Sequence, residues 1–311
     1  MKDEFYFPSK DGNTEIHTVI WKPEGEVKAV VQLVHGMVEY IERYDEFARY
    51  LSDRGILVVG NDHLGHGKSV QNNSEYGYFH KKNGNACLIA DIHTLRLRMA
   101  KKYPNVPYFM LGHSMGSILM RQYVMVYGNG LAGVLLLGVV AEQPKLVLEF
   151  GRLLCKTIGM IKGDHHRSKL VDYMVTGTFN KKFKPALTRA DWVTSDAEKL
   201  DQYVNDPLCS FVFTVNAYYH MLGGLMQISK RESAFMIPKN LPIILAAGSD
   251  DPCGNFGKGV RQIYERYKKA GIEDVTLRLY SGDRHEILNE TDRDQVYADL
   301  YEWIDNREYL K

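Results

Sequence analysis

The stretch VPYFMLGHSMGSILMRQYV, residues 106–124, decides the reading of the fold. Its first part, VPYFML, is an apolar run with strand character, and its last part, SILMRQYV, has helical character. Between them stands Gly112-His113-Ser114-Met115-Gly116. A serine flanked by small residues at this junction sits on a sharp strand-to-helix turn. Its hydroxyl then projects from the edge of a sheet, and the following helix N-terminus favours developing negative charge. Ser114 is therefore the expected nucleophile.

Working outward, further runs read as strands at 15–21, 29–35, 57–62, 108–112, 131–139, 242–248 and 275–280. Most are near-continuous in Val, Ile and Leu, as strands buried on both faces are. The run at 15–21 alternates more and suits an antiparallel edge. Helical periodicity falls at 42–53, 85–102, 115–127, 257–270 and 292–306. This alternation predicts an α/β fold with an open, mostly parallel, doubly wound sheet, whose sites lie at the carboxyl ends of the strands. The pattern breaks over 142–238, where helical segments occur without core strands. That stretch is expected to be a helical cap over the carboxyl edge of a core formed by residues 1–141 and 239–311. Residues 145–189 carry ten basic and three acidic side chains, against a whole-chain charge of only +1.

A serine hydroxyl needs a base, and the chain order on such a scaffold is serine, acid, histidine. His285 follows the last strand-like run and is the expected base. The acid belongs in the loop after the strand ending at Gly248, where Asp250 and Asp251 are adjacent. Local spacing leaves both open, with Asp283 a weaker third. An oxyanion hole needs two backbone N–H donors. Met115 supplies one, and Met37, in the His35-Gly36-Met37 turn after an early strand, supplies the other. His35 itself orders that turn. Asp62, His63 and His66 lie in a turn with two glycines, which suits a structured loop better than a metal site.

With 25% charged and 45% hydrophobic residues, the chain has the composition of a soluble globular enzyme. The balanced charge gives no global field for nucleic acid. Cys87, Cys155, Cys209 and Cys253 lie far apart and read as free thiols. No run of 18 apolar residues predicts a membrane span, and the polar N-terminus does not read as a secretory signal, so a cytoplasmic location is expected.

Four blocks then carry a family resemblance: HGMVEYIERYDEFARYLSDRGILVVGNDHLGHGKS from residue 35, LGHSMGS from 111, AAGSDDPCGN from 246 and LYSGDRHEILNE from 279. The sequence resembles the monoacylglycerol lipase and lysophospholipase (serine aminopeptidase-like) branch of the α/β-hydrolases. The resemblance implies the α/β-hydrolase fold, with Ser114 as nucleophile, His285 as base, and Met37 and Met115 as oxyanion donors. It selects Asp251 over Asp250. It also implies carboxylic ester hydrolysis through an acyl-enzyme, with no metal or organic cofactor, on a single-chain lipid ester such as a monoacylglycerol or lysophospholipid. Alternatives on the same triad are a serine aminopeptidase or amidase and a short-chain carboxylesterase; a non-catalytic binding protein is the third. Three positions depart from the family's pattern: Tyr40 where His is common, Leu64 where Arg is frequent, and Ser117 where Gly often follows. The basic, amphipathic cap is expected to make transient contact with a membrane surface.

Overall fold

The apolar runs become strands that are buried on both faces. In β3 (Ala29–Val34), Val30 and Val34 face one hydrophobic core while Val31 and Leu33 face another, the period-two alternation of a pleated strand. The computed structural model describes residues 1–308. Among them the strands form one eight-stranded sheet of order β1-β2-β4-β3-β5-β6-β7-β8. β1 (Lys2–Pro8) and β2 (Glu15–Trp21) form an antiparallel hairpin, and β2 also pairs antiparallel with β4 (Ile56–Asn61). From β4 onward, through β3, β5 (Tyr108–His113), β6 (Gly133–Leu137), β7 (Ile243–Gly248) and β8 (Val275–Tyr280), every pairing is parallel.

Helices cover both faces. α1 (Asp45–Ser52) lies on one side with α9 (Arg293–Glu308), where Phe47 and Leu51 share a core with Val296, Leu300 and Trp303. On the other side are α2 (Gly84–Lys102), α3 (Met115–Tyr127) and α8 (Lys258–Lys269), which contribute Leu88, Ile92, Tyr123, Val260 and Ile263. The doubly wound, mostly parallel arrangement expected from the strand–helix alternation is the one observed.

β1 was not anticipated. Its sequence KDEFYFP carries three charges, and only Phe7 is fully buried, because an outer hairpin strand needs one apolar face alone. β6 is shorter than its apolar run, ending where Gly138 turns to φ +51°. The first expected helix opens instead as a short 3₁₀ turn, Ile41–Tyr44.

Residues 142–238 hold α4 (Lys145–Lys162), α5 (Lys169–Val175), α6 (Ala197–Asn205) and α7 (Val215–Ile228), with no strand among them. Ser168, Asp196 and Thr214 cap the last three helices with side-chain oxygens. α7 packs against α4 on one side and α3 on the other, so it joins this region to the sheet. No helix of the described residues is long and apolar enough to cross a membrane.

Candidate active site

Ser114 occupies the junction between β5 and α3 with φ 54° and ψ −117°, a conformation that L-residues avoid. Such strain costs about 1–3 kcal/mol and persists only where surroundings enforce it. Here the Ser114 amide donates to the Leu137 carbonyl at 3.0 Å, tying the turn to β6. Gly116 is required by close approach: a Cβ there would lie 1.9 Å from the Val34 carbonyl oxygen. Gly36 packs on the other side, where a Cβ would come within 3.0 Å of the Ser114 Cβ. The turn at the end of β3 is thereby pressed against the serine.

Met115 is the first residue of α3, so its amide has no acceptor within the helix. The Met37 amide likewise has no acceptor among the described residues. Ser114, Met37 and Met115 all line one cavity of about 490 Å³, within the range of small-molecule pockets. Its roof is apolar and comes from 142–238: Leu148 and Leu154 of α4, Val171 and Met174 of α5, and Leu222 and Leu225 of α7.

The adjacent aspartates are sorted by their surroundings. Asp251 is fully buried, with Oδ2 3.0 Å from His285 Nδ1 and Oδ1 accepting the Cys253 amide at 2.8 Å. Asp250 turns outward to Lys182 Nζ at 2.7 Å. Asp283 meets the acid loop through its backbone: its carbonyl accepts the Asp250 amide, while burial and the nearby Asp292 and Glu290 push its carboxyl up to about 7. Trp192, which the sequence did not single out, lines the cavity with its ring 4.9 Å from that of His285. It lies in a stretch without a motif, and no sequence pattern points to it.

The histidine-rich turn serves the loops around the site. Asp62 accepts from the Ile41 and Lys68 amides and faces His17 Nδ1. His35 Nε2 accepts the His63 amide at 2.9 Å, binding the β3 and β4 ends together. Burial brings His63 down to about 3 and His66 to about 4, so both are neutral. Among the described residues, one trio could offer ligand atoms to a cation: Asp251, Cys253 and His285, all within 4.8 Å of one another. Two of those three are already hydrogen-bonded to each other. Among the described residues, the one carboxylate on the cavity wall, Glu142, is neutralised by Arg121 and Arg266, each at 2.5 Å. Of the departures from the family pattern, Tyr40 donates its hydroxyl to Asp206 at 2.8 Å, beside the end of α6. Ser117 donates to the Ser114 carbonyl at 2.7 Å, and Leu64 is buried.

Strand order, strained serine turn and buried aspartate–histidine pair together define an α/β-hydrolase. Within that class, the chain belongs to the family described as serine aminopeptidase, S33 (Hydrolase_4), whose pattern matches residues 25–292. It is 26% identical to human monoglyceride lipase over 292 residues, covering 92% of this chain and 86% of that one. It is 26% identical to monoacylglycerol lipase of Mycolicibacterium smegmatis over 299 residues, covering 94% of each. In structure it resembles a thermostable carboxyl esterase from Bacillus coagulans, solved with glycerol: TM-score 0.92, 29% identity, and 99% of both chains covered.

Proposed function

We propose that this protein is a serine ester hydrolase that cleaves monoacylglycerols or closely related single-chain lipid esters. The observation that carries this reading is the cavity itself: a strained serine and two amides without acceptors open into an apolar space roofed by α4, α5 and α7. An acyl chain fits such a space. Ser114 attacks the ester carbonyl, and His285 takes its proton. Asp251 accepts from His285 Nδ1–H, which leaves Nε2 as the basic nitrogen and stabilises the imidazolium that forms. The Met37 and Met115 amides receive the oxyanion, assisted by the N-terminus of α3. Collapse expels the alcohol with the proton from His285. Water activated by His285 then releases the fatty acid. No step calls for a metal or organic cofactor.

An aminopeptidase reading needs a counter-charge for the substrate ammonium. Glu142 is the carboxylate on the cavity wall, and two arginines already neutralise it. The ester reading is therefore the better supported.

Residues 142–238 act as the cap in this reading, and their outer face supports a membrane-surface role. Leu146, Phe150, Leu153, Met160 and Ile161 of α4 are all more than half exposed, beside the basic surplus of 145–189. Large exposed apolar patches rimmed by cations suit an anionic lipid surface.

The test is hydrolysis of p-nitrophenyl esters from acetate to palmitate, with 1-monooleoylglycerol and a lysophosphatidylcholine alongside and Ser114→Ala as blank. A medium- or long-chain optimum with monoacylglycerol turnover is expected. Activity confined to acetate and butyrate would make it a short-chain carboxylesterase. No ester turnover by folded protein would reject the reading.

A further inference from the structure

The residue before Ser114 is a histidine enclosed between three loops, and both of its ring nitrogens face acceptors. His113 Nδ1 lies 2.9 Å from Glu39 Oε1, and Nε2 lies 3.4 Å from the carbonyl oxygen of His285. A neutral imidazole has one N–H and one lone pair, so it would set that lone pair against one of these oxygens. The imidazolium donates to both.

The surrounding charges ask for the same proton. Arg43 forms a double hydrogen bond with Glu286, 2.7 Å at each nitrogen, and reaches Glu39 Oε2 at 3.3 Å. Two buried carboxylates and one guanidinium leave a single negative charge, which a protonated His113 balances. The free space among these side chains is about 10 Å³, room for one water at most, so solvent does little screening. The other groups facing His113 are the Tyr44 ring, whose hydroxyl donates to Glu39 Oε1 at 3.1 Å, the His285 ring 4.8 Å away, the Gly36 and Gly138 backbone, and His35, which burial first and the neighbouring imidazoles second hold well below the ordinary imidazole value.

We propose that His113 is held as a buried imidazolium, and that with Glu39 it forms a positioning pair fixing the three loops that carry Met37, Ser114 and His285. Glu39 Oε1 also accepts the Gly36 amide at 2.5 Å, while on the other flank the Val38 amide donates to His66 Nε2 at 3.3 Å. The amides either side of Met37 are thus both tied, and that of Met37 stays available. One carboxylate oxygen therefore joins the oxyanion turn to the residue preceding the serine. Through His113 Nε2 it joins both to the histidine loop.

Burial disfavours the charged ring, but the carboxylates of Glu39 and Glu286 outweigh it and lift His113 above the ordinary imidazole value. Burial would also raise Glu286, and Arg43 overrides it, bringing it to about 2. The sign follows: the pair contributes fully below the free imidazole value of about 6.5 and is lost as pH rises through the folded value. An alkaline limb of activity results.

This inference rests on Ser114 being the nucleophile, and the experiment separates the two. Full-length protein labelled with ¹⁵N-histidine is titrated by NMR, with His113→Gln to assign the resonance. Both His113 ring nitrogens are expected to be protonated at pH 7, with a midpoint above that of a free imidazole. Glu39→Gln should lower that midpoint. It should also reduce kcat on a p-nitrophenyl ester about 10²-fold, the scale of a small misplacement. KM should stay within about twofold, since ground-state binding is untouched. Glu39→Asp should recover part of the alkaline limb. A neutral His113 at pH 7 in active wild-type protein overturns the proposal, as does Glu39→Gln with unchanged kcat and pH profile. Should Glu39→Gln not fold, the wild-type titration decides. Failure of the nucleophile assignment reads differently: wild type and Ser114→Ala would then turn over alike, whatever the charge on His113.

Discussion

The floor and the roof of the cavity treat side chains in opposite ways. Below it, Glu39, Arg43, His113, Glu286 and Asp251 bury their charges or polar atoms against one another, with the Glu39 side chain 4% exposed. Above it, α4 leaves Leu146 79% and Ile161 76% exposed to solvent. Charges inside and hydrophobes outside both cost stability in water, so each needs a separate return. In the floor the return is geometry: buried hydrogen-bonded charges have one arrangement that satisfies them all. In the roof, on the proposed reading, it is a surface that meets something apolar. On that reading the floor governs the rate of chemistry, and the roof governs what is reached.

The floor should break hardest. Ser114→Ala is expected to lower kcat about 10⁶-fold while the melting curve stays near wild type. Asp251→Asn should cost about 10⁴-fold, because the wrong imidazole tautomer is then favoured. Asp250→Asn, which loses only an exposed pair with Lys182, should stay within about threefold. The reverse ranking would reassign the acid. Gly116→Ala tests packing rather than chemistry. Its methyl collides with the Val34 carbonyl, and a loss of about 3 kcal/mol in urea unfolding is expected.

The roof should break selectively. Phe150→Glu with Leu153→Glu places two charges on the exposed face of α4, away from the cavity wall. Turnover of monoacylglycerol in anionic vesicles should fall about tenfold, while hydrolysis of soluble p-nitrophenyl butyrate is unchanged. Equal losses on both substrates would show that the face supports folding instead.

The smallest effect concerns Asp283. Its carboxyl is raised to about 7, so ionising it in the folded state costs stability as pH rises from the free aspartate value of about 3.9 to about 7. Asp283→Asn should be neutral in the melting temperature near pH 4, gain a few degrees by pH 7, and gain nothing further above it. A flat difference across that range would mean the carboxyl is not perturbed.

The legible parts of the molecule were those with local causes. VVQLV in β3 and VLLL in β6 announce buried parallel strands, and G-H-S-M-G announces its own turn because the glycines and the serine are neighbours in sequence. The edge strand β1 escaped, since KDEFYFP buries one face only. The cluster of Glu39, Arg43, His113 and Glu286 escaped for another reason: Arg43 and Glu286 are 243 residues apart, and only the sheet order brings them together. A trace was present in His113 itself, a titratable residue closing an apolar strand. The choice between Asp250 and Asp251 came through resemblance, since two adjacent carboxylates look alike until one is turned inward.

The link between β6 and β7 has a consequence for redesign. These strands are parallel neighbours, so the chain leaving one must cross the sheet before entering the next. α7 lies on that route, packs on α3, and plants the fully buried Tyr218 in the same core as Tyr123. It is at once ceiling and keel. A chimaera that exchanges the whole of 142–238 would pull this keel out of the hull, and with it the Trp192 and Val193 carbonyls that accept the His285 and Glu286 amides, whereas one limited to α4 and α5 is expected to leave both in place. Exchange is therefore expected to be tolerated between Lys145 and Val175, with the stretch around Trp192 and all of α7 retained.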